Sequence, residues 1–139
     1  MPGNKGLIAV AREWMTKAEN DLKTAVHTLD LGEECPTDMV CFHAQQCVEK
    51  YLKAVLVLDG IDFPKIHDIG ELVALLPQES VNLDITVEEQ RRLTEYATVT
   101  RYPGDYEPIS LVEAREAVEI AKRIRGKIRP LLSKEVLAP

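Results

Sequence analysis

The chain has 139 residues, carries 17 Lys and Arg against 23 Asp and Glu for a formal net charge of -6, and is 45% hydrophobic but only 5% aromatic. That length suits a single domain, residues 1–139, which buries roughly two thirds of the surface its unfolded chain exposes and needs no disulfide or metal to hold it. The composition excludes fibrous, low-complexity and disordered classes and favours an aliphatic helical protein over a β-sandwich, while the acidic balance argues against coating nucleic acid by bulk electrostatics but leaves room for a local basic patch.

In chain order, the opening stretch MPGNKGLIAV has too short an apolar run for a signal peptide. No segment approaches the ~18 apolar residues of a membrane span, so a cytoplasmic protein is expected. A first helix is predicted from about Ile8 to Leu31, because Ala11, Trp14, Met15, Ala18, Leu22, Ala25, Val26 and Leu29 recur at three- and four-residue spacing. Gly32 supplies its stop. Thr37 is the expected N-cap of the next helix, with Asp38 complementing the positive helix end. Cys35, Cys41 and Cys47 are an odd count, two of them on an apolar helix face, and read as buried thiols of a reducing compartment.

Residues 39–58 form the centre of the pattern. At 100 degrees per residue, Val40, Cys41, Ala44, Cys47, Val48, Tyr51, Leu52, Ala54, Val55 and Leu58 occupy one unbroken half of a helix, which must be central to a core. The other half carries Phe42, His43, Gln45, Gln46, Glu49, Lys50 and Lys53, with Leu56 and Val57 among them. Large apolar side chains on a polar face predict cover, by another protomer or by the end of the fourth helix.

Asp59 and Gly60 close this helix. Asp68 followed by Glu71 resembles a capping box opening a short third helix that Pro77 ends, and residues 78–87 read as loop. A fourth helix is predicted from about Val87 to Arg101, stopped by Tyr102-Pro103-Gly104 in a tight turn. Ser110 caps a fifth helix to about Leu132, with Ala114, Ala117, Val118, Ala121, Ile124, Ile128 and Leu131 facing inward. No strand pattern and no repeat appears. The expected fold is all-α, an antiparallel up-and-down four-helix bundle with one additional short helix.

Metal chemistry is not expected: His27, His43 and His67 fall on separate segments, and no Cys or His pair has zinc spacing. Cys47 and His43 stand at i, i+4, but cysteines on an apolar face are usually packed and inert. The seven glycines form neither a dinucleotide fingerprint nor a P-loop, so no cofactor is expected. Arg101, at a helix C-terminus beside Tyr102, Asp105 and Tyr106, can hold phosphate bidentately while a ring stacks on a base; the plain alternative is a charge paired with Asp105. The C-terminal half of the fifth helix is rich in Lys and Arg, usually a solvated face, and otherwise a surface for RNA or an acidic partner.

The segment from Phe42 to Ala54, FHAQQCVEKYLKA, strongly resembles the hallmark of HEPN domains, and His67-Asp68-Ile69 and Arg101-Tyr102-Pro103 follow in family order. The resemblance implies a dimerising four-helix bundle, commonly encoded beside a small nucleotidyltransferase with which it forms a two-component, often toxin and antitoxin, pair. Many such proteins are metal-independent ribonucleases whose motif is Arg, four to six residues, then His, with both residues of each protomer meeting across the dimer. Here Arg101 matches, but after four intervening residues stands Tyr106, and no histidine follows. Tyrosine titrates near ~10 and is a poor general base at neutral pH.

The sequence therefore reads as a homodimeric module that partners a nucleotidyltransferase and binds nucleotide or RNA through Arg101, Tyr102 and Tyr106, with His43, Gln46, Glu49 and Lys53 nearby. The alternatives are a divergent metal-independent ribonuclease using Arg101 with Tyr106 or with a histidine elsewhere, and a purely structural interaction subunit.

Overall fold

Six helices build the described part of the chain, residues 2–77, 82–97 and 107–138 of a computed structural model, with side chains described from Lys5 onward. They are α1 (Pro2–Leu29), α2 (Thr37–Leu58), α3 (Ile69–Leu75), α4 (Val87–Ala97), α5 (Leu111–Ile128) and α6 (Lys134–Leu137). No strand occurs among the described residues, and none of their helices is long and apolar enough to cross a membrane.

Side-chain ties between helices fix the direction of each. Glu19 of α1 meets Arg125 of α5 and Arg129 just beyond it, while Arg12 reaches the main-chain oxygen of Glu135, so α1 and α5 run antiparallel. On α4, Tyr96 meets Glu113, Arg92 meets Glu116 and Glu89 meets Arg123, which sets α4 antiparallel to α5 as well. The start of α2 lies near the start of α5, where Thr37 Oγ1 donates to Ile109 O at 2.7 Å. The four long helices thus alternate up and down, and α2 packs against α1, α3, α4 and α5.

The apolar half of α2 is the centre of the core. Val40, Cys41, Ala44, Cys47, Val48, Tyr51, Leu52, Ala54 and Val55 are all buried, as their spacing requires, and Leu58 is half-buried. Each large aliphatic removed from water contributes about 1.5–3 kcal/mol, which makes this helix the main source of stability. Cys35, Cys41 and Cys47 are all buried thiols, in line with their expected role.

Local chemistry closes α2 and opens α3 and α5 where expected, whereas α1 ends at Leu29, two residues short of Leu31, with Gly32 opening a separate 3₁₀ turn. Gly32 and Gly60 take φ of 65° and 71°, the left-handed conformation that glycine adopts cheaply. At the end of α2, Ile61 N donates to Leu56 O and Gly60 N to Val57 O, the paired bonds of a Schellman motif. Asp68 accepts from Glu71 N at 2.9 Å to cap α3, and Ser110 accepts from Glu113 N at 3.0 Å to cap α5.

Several expectations are corrected. α1 begins at Pro2, not Ile8, because a helical backbone can continue past the start of its apolar stripe at the small cost of propensity. Pro36, not Thr37, is the N-cap of α2; Thr37 is the first helical residue and spends its hydroxyl on Ile109 instead. α5 ends at Ile128 and tightens into a 3₁₀ turn, Arg129–Leu131, at Pro130, which lacks an N–H for the α ladder. This rotation leaves Leu131 39% exposed and turns Leu132 into the core. A second short helix, α6, follows, capped by Ser133. The predicted end of the fourth helix at Arg101 and the turn after it lie outside the described residues.

The polar half of α2 is covered from within the chain. Leu56 is fully buried there, and Phe42 and Val57 are half-buried. Replacing Leu56 by Ala should therefore cost about 2–5 kcal/mol in urea unfolding of the full chain, whereas Met39→Ala, at an exposed position of the same helix, should stay within about 0.5 kcal/mol.

Candidate functional site

Gln45, Glu49 and Lys53 stand at successive i, i+4 positions and so line up one above another on α2. Gln45 is fully buried, Glu49 is 2% exposed and Lys53 is 5% exposed. A carboxylate and an ammonium at such depth are stable only when their hydrogen-bonding capacity is met. Glu49 meets it on both oxygens. Lys53 Nζ donates to Oε2 at 2.9 Å, while Gln45 Nε2 donates to Oε1 at 2.8 Å and His67 Nδ1 lies 2.9 Å from the same oxygen. Gln46 Nε2 donates to Gln45 Oε1 at 2.7 Å and extends the chain of bonds toward the surface.

Two rings cover the ammonium. Lys53 Nζ lies 5.2 Å from the centre of Trp14, on α1, and 5.8 Å from that of Phe63, in the connection after α2. Such contacts attract a cation and exclude water. His67, at the far end of the same connection, keeps 63% of its side chain exposed although its Nδ1 is held. Its main-chain oxygen accepts weakly from Gln45 Nε2 at 3.4 Å, and two residues on Ile69 N donates to Thr94 Oγ1 of α4 at 3.0 Å. The cluster thus joins α2, the connection, the start of α3, and α4.

His43 belongs to a separate cluster on the side of α1. Its Nδ1 lies 2.8 Å from Asp21 Oδ1, Lys50 Nζ donates to Asp21 Oδ2 at 2.6 Å, and its ring meets Phe42 edge-on. The i, i+4 relation between His43 and Cys47 comes to nothing chemically. Burial, with Glu19 and Asp21 nearby, pushes the Cys47 thiol far up from its ordinary range, so it is held as a protonated, packed side chain.

A third cluster ties α1, α2 and α5. The Glu19 carboxylate accepts from Tyr51 Oη, Arg125 Nε and Arg129 Nη1. Burial alone would raise the Glu19 carboxyl, but the bonds from Arg125 and Tyr51 and the charges of Arg125 and Arg129 outweigh it and hold it below the usual carboxylate range. Burial and the bond to Glu19 push the Tyr51 phenol up. The basic run of α5 is largely spent in this way: Lys122 pairs with Glu119, Arg123 with Glu89, and Arg125 and Arg129 with Glu19. Among the described residues no group of three His, Cys, Asp or Glu is arranged to hold a metal ion.

Of the residues singled out from the sequence, Gln46, Glu49 and Lys53 share one network, in which Glu49 meets both Lys53 and His67, and His43 stands apart. Arg101, Tyr102 and Tyr106 lie outside the described residues. Gln45, His67, Trp14, Phe63 and Asp21 join these clusters although sequence pattern alone did not place them in the site. The i, i+4 ladder of Gln, Glu and Lys was the available signal for Gln45; the others meet α2 only through the fold.

The HEPN domain family model matches residues 11–131. A protein of Methanocaldococcus jannaschii named "Putative toxin MJ1304" is 28% identical over 92% of this chain and 91% of its own length. Among solved structures, TT1696 from Thermus thermophilus superposes with a TM-score of 0.72 at 31% identity, and ST0689, described as an archaeal HEPN homologue, with 0.69 at 27%. Each covers 88% of this chain and 98% of its own.

Two outcomes follow from these ion clusters. Lys53→Met leaves the Glu49 carboxylate short of its charge partner and should cost up to about 3–5 kcal/mol in chemical unfolding, much of it recovered in the Glu49→Gln/Lys53→Met double variant. Glu19, whose carboxyl is lowered in the folded state, contributes stability that is fully present above its ordinary value of 4.5 and lost as pH falls below it. Thermal unfolding between about pH 5 and pH 2.5 should show a shallower decline for Glu19→Gln than for the wild type.

Proposed function

The chain belongs to the HEPN domain family, and from that premise we propose that it is one half of a toxin–antitoxin-like pair completed by a small nucleotidyltransferase, and that as a homodimer it binds nucleotide or RNA phosphate. One observation carries the reading: the hallmark segment of α2 holds a buried carboxylate and ammonium in a hydrogen-bonded network that opens to solvent at His67. Buried ion pairs add little to stability compared with apolar side chains of the same volume, so a network of this kind is more readily understood as serving a site.

The residues divide into two groups. Arg101 supplies the guanidinium that grips phosphate, and Tyr102 and Tyr106 supply faces for a base. Gln46 and His43 add polar contacts at the edge of α2. Glu49 and Lys53 act from behind, holding His67 and the path of the connection. Arg101 follows Ala97, the last residue of α4, by four positions, and α4 is the helix bonded to the start of α3 through Thr94. Similarity to the Methanocaldococcus protein named as a toxin supports the paired role. A nucleotidyltransferase reading frame beside this one would add to it.

A second reading, a metal-independent ribonuclease, is favoured by His67, whose Nδ1 is held by Glu49 while 63% of its side chain is exposed.

Titrating labelled nucleotides and short RNAs against the wild type and Arg101→Ala tests the binding role. Hydrogen bonds to a charged group are worth about 1.5–3 kcal/mol, so affinity should fall about 10- to 100-fold. Equal binding by both proteins removes Arg101 from the site.

A further inference from the structure

The furrows that flank α5 differ in charge. Between α4 and α5 a cleft of about 400 Å³ is walled by three arginines and three glutamates, and four of these six are spent on each other, Arg92 with Glu116 and Arg123 with Glu89. Between α1 and α5 a furrow of about 690 Å³ sets Lys23, His27, Lys122 and Arg125 against the carboxylate of Glu19, over a floor of Leu22 and Val26.

Helical spacing builds this second furrow. Glu19, Leu22, Lys23, Val26 and His27 follow at i, i+3, i+4, i+7 and i+8 and so share one stripe of α1, about 12 Å long. Lys122 and Arg125 stand at i, i+3 on the facing stripe of α5. Leu22 is buried, Val26 is half-buried, and Lys23, His27 and Lys122 are exposed. The chain itself makes little use of these donors. Among the described residues neither the Lys23 nor the His27 side chain has a bonded partner. Lys122 meets Glu119 at 3.5 Å with both side chains half exposed or more, a pair that contributes little and is readily exchanged for another acceptor. Arg125 spends its Nε on Glu19 and keeps 38% of its side chain exposed.

We propose that this furrow is a docking site for an acidic segment of a partner protein, about two helical turns long, with an apolar stripe flanked by Asp and Glu. Charge selects this occupant. The furrow is cationic on a chain whose net charge is -6, so it draws an acidic segment that the rest of the surface repels. The apolar floor calls for aliphatic side chains between the acids, as when an amphipathic helix lies in a groove. A nucleic-acid strand fits less well. Among the described lining residues no aromatic ring is present to stack a base, and Glu19 with the neighbouring Glu119 repels a continuous run of phosphates. All of these residues lie on α1 and α5, so the inference is independent of the phosphate-binding reading of Arg101.

The test pans a displayed library of random peptides, each about 15 residues long and so able to form a helix, against the full chain. Fluorescence anisotropy then measures each selected peptide. These peptides should combine Asp or Glu with Leu, Ile or Phe, and their affinity should fall with salt. Lys23→Glu/Lys122→Glu should weaken them at least about 10-fold and flatten the salt dependence. Arg115→Glu/Lys134→Glu, the same change of net charge away from the furrow, should leave affinity within about 2-fold. Val26→Ser, which removes apolar floor, should weaken binding about 5-fold. The four charged positions are exposed, so their variants keep the fold, which circular dichroism checks. Recovery of no peptide, or of neutral or basic ones, overturns the proposal, as does equal binding by Lys23→Glu/Lys122→Glu and the wild type. It also falls if a mixed-sequence RNA loses affinity in that variant alone, or if that variant alone loses mass in sedimentation, because RNA or a second copy of the chain is then the occupant.

Discussion

The path of the chain around α2 is constrained by the buried Glu49 carboxylate. Taking an ion out of water costs several kcal/mol even after relaxation, and the cost is offset only when a counter-charge and further hydrogen bonds arrive in good geometry. Helical spacing brings two of the three partners, Gln45 and Lys53, one turn either side of Glu49. The third, His67, must come from a separate segment. The connection after α2 therefore has to turn back along the helix, and it lays Phe63 over the ammonium on the way, opposite Trp14 from α1. α3 then starts where His67 leaves it, and Thr94 binds that start to α4. One buried charge thus sets the approach of α1, the path of the connection and the seat of α3.

The remaining ion pairs act differently. Arg91 with Glu88 and Glu95 is exposed and contributes little. Glu19 with Tyr51, Arg125 and Arg129, and Glu89 with Arg123, lie partly buried between helices and fix how far α5 slides along α1 and α4. Energy comes from the aliphatic core around α2, and these pairs choose the register in which that core closes. Arg123, Arg125 and Arg129 are in this way engaged by carboxylates of the same chain, so half of the basic run of α5 serves the bundle.

Periodicity made the apolar half of α2 legible, since a 3.6-residue repeat marks the residues that must share a face. It failed on the other half for a physical reason. A central helix has neighbours around more than half its circumference, so Leu56, Glu49 and Lys53 are buried although they fall outside the stripe. Charge in a pattern is read as solvation, and only tertiary closure shows that a carboxylate has been paired and covered. His67 was legible as part of a matching motif, but its contact with Glu49 spans 18 residues and no local rule contains it. Pro130 shows the opposite failure. The signal for a helix end was present, and the inward position of Leu131 was extrapolated across it.

The substitution of Tyr106 for a histidine after Arg101 gains a different meaning beside this network. A phenol near ~10 is a poor proton acceptor at neutral pH but can donate a hydrogen bond to a phosphate oxygen, so a tyrosine at this position accords with the proposed binding role rather than with activation of a nucleophile. His67 is held by α2 at its side chain through Glu49 and, weakly, at its main-chain oxygen through Gln45, and the chain two residues on is held by α4 through Ile69 N. Ties to two helices hold the backbone of His67 and its Nδ1 in place while most of the ring stays exposed. The connection before α3 is thus tied to α2 through Glu49 and Gln45 and, one step on, to α4 through Thr94.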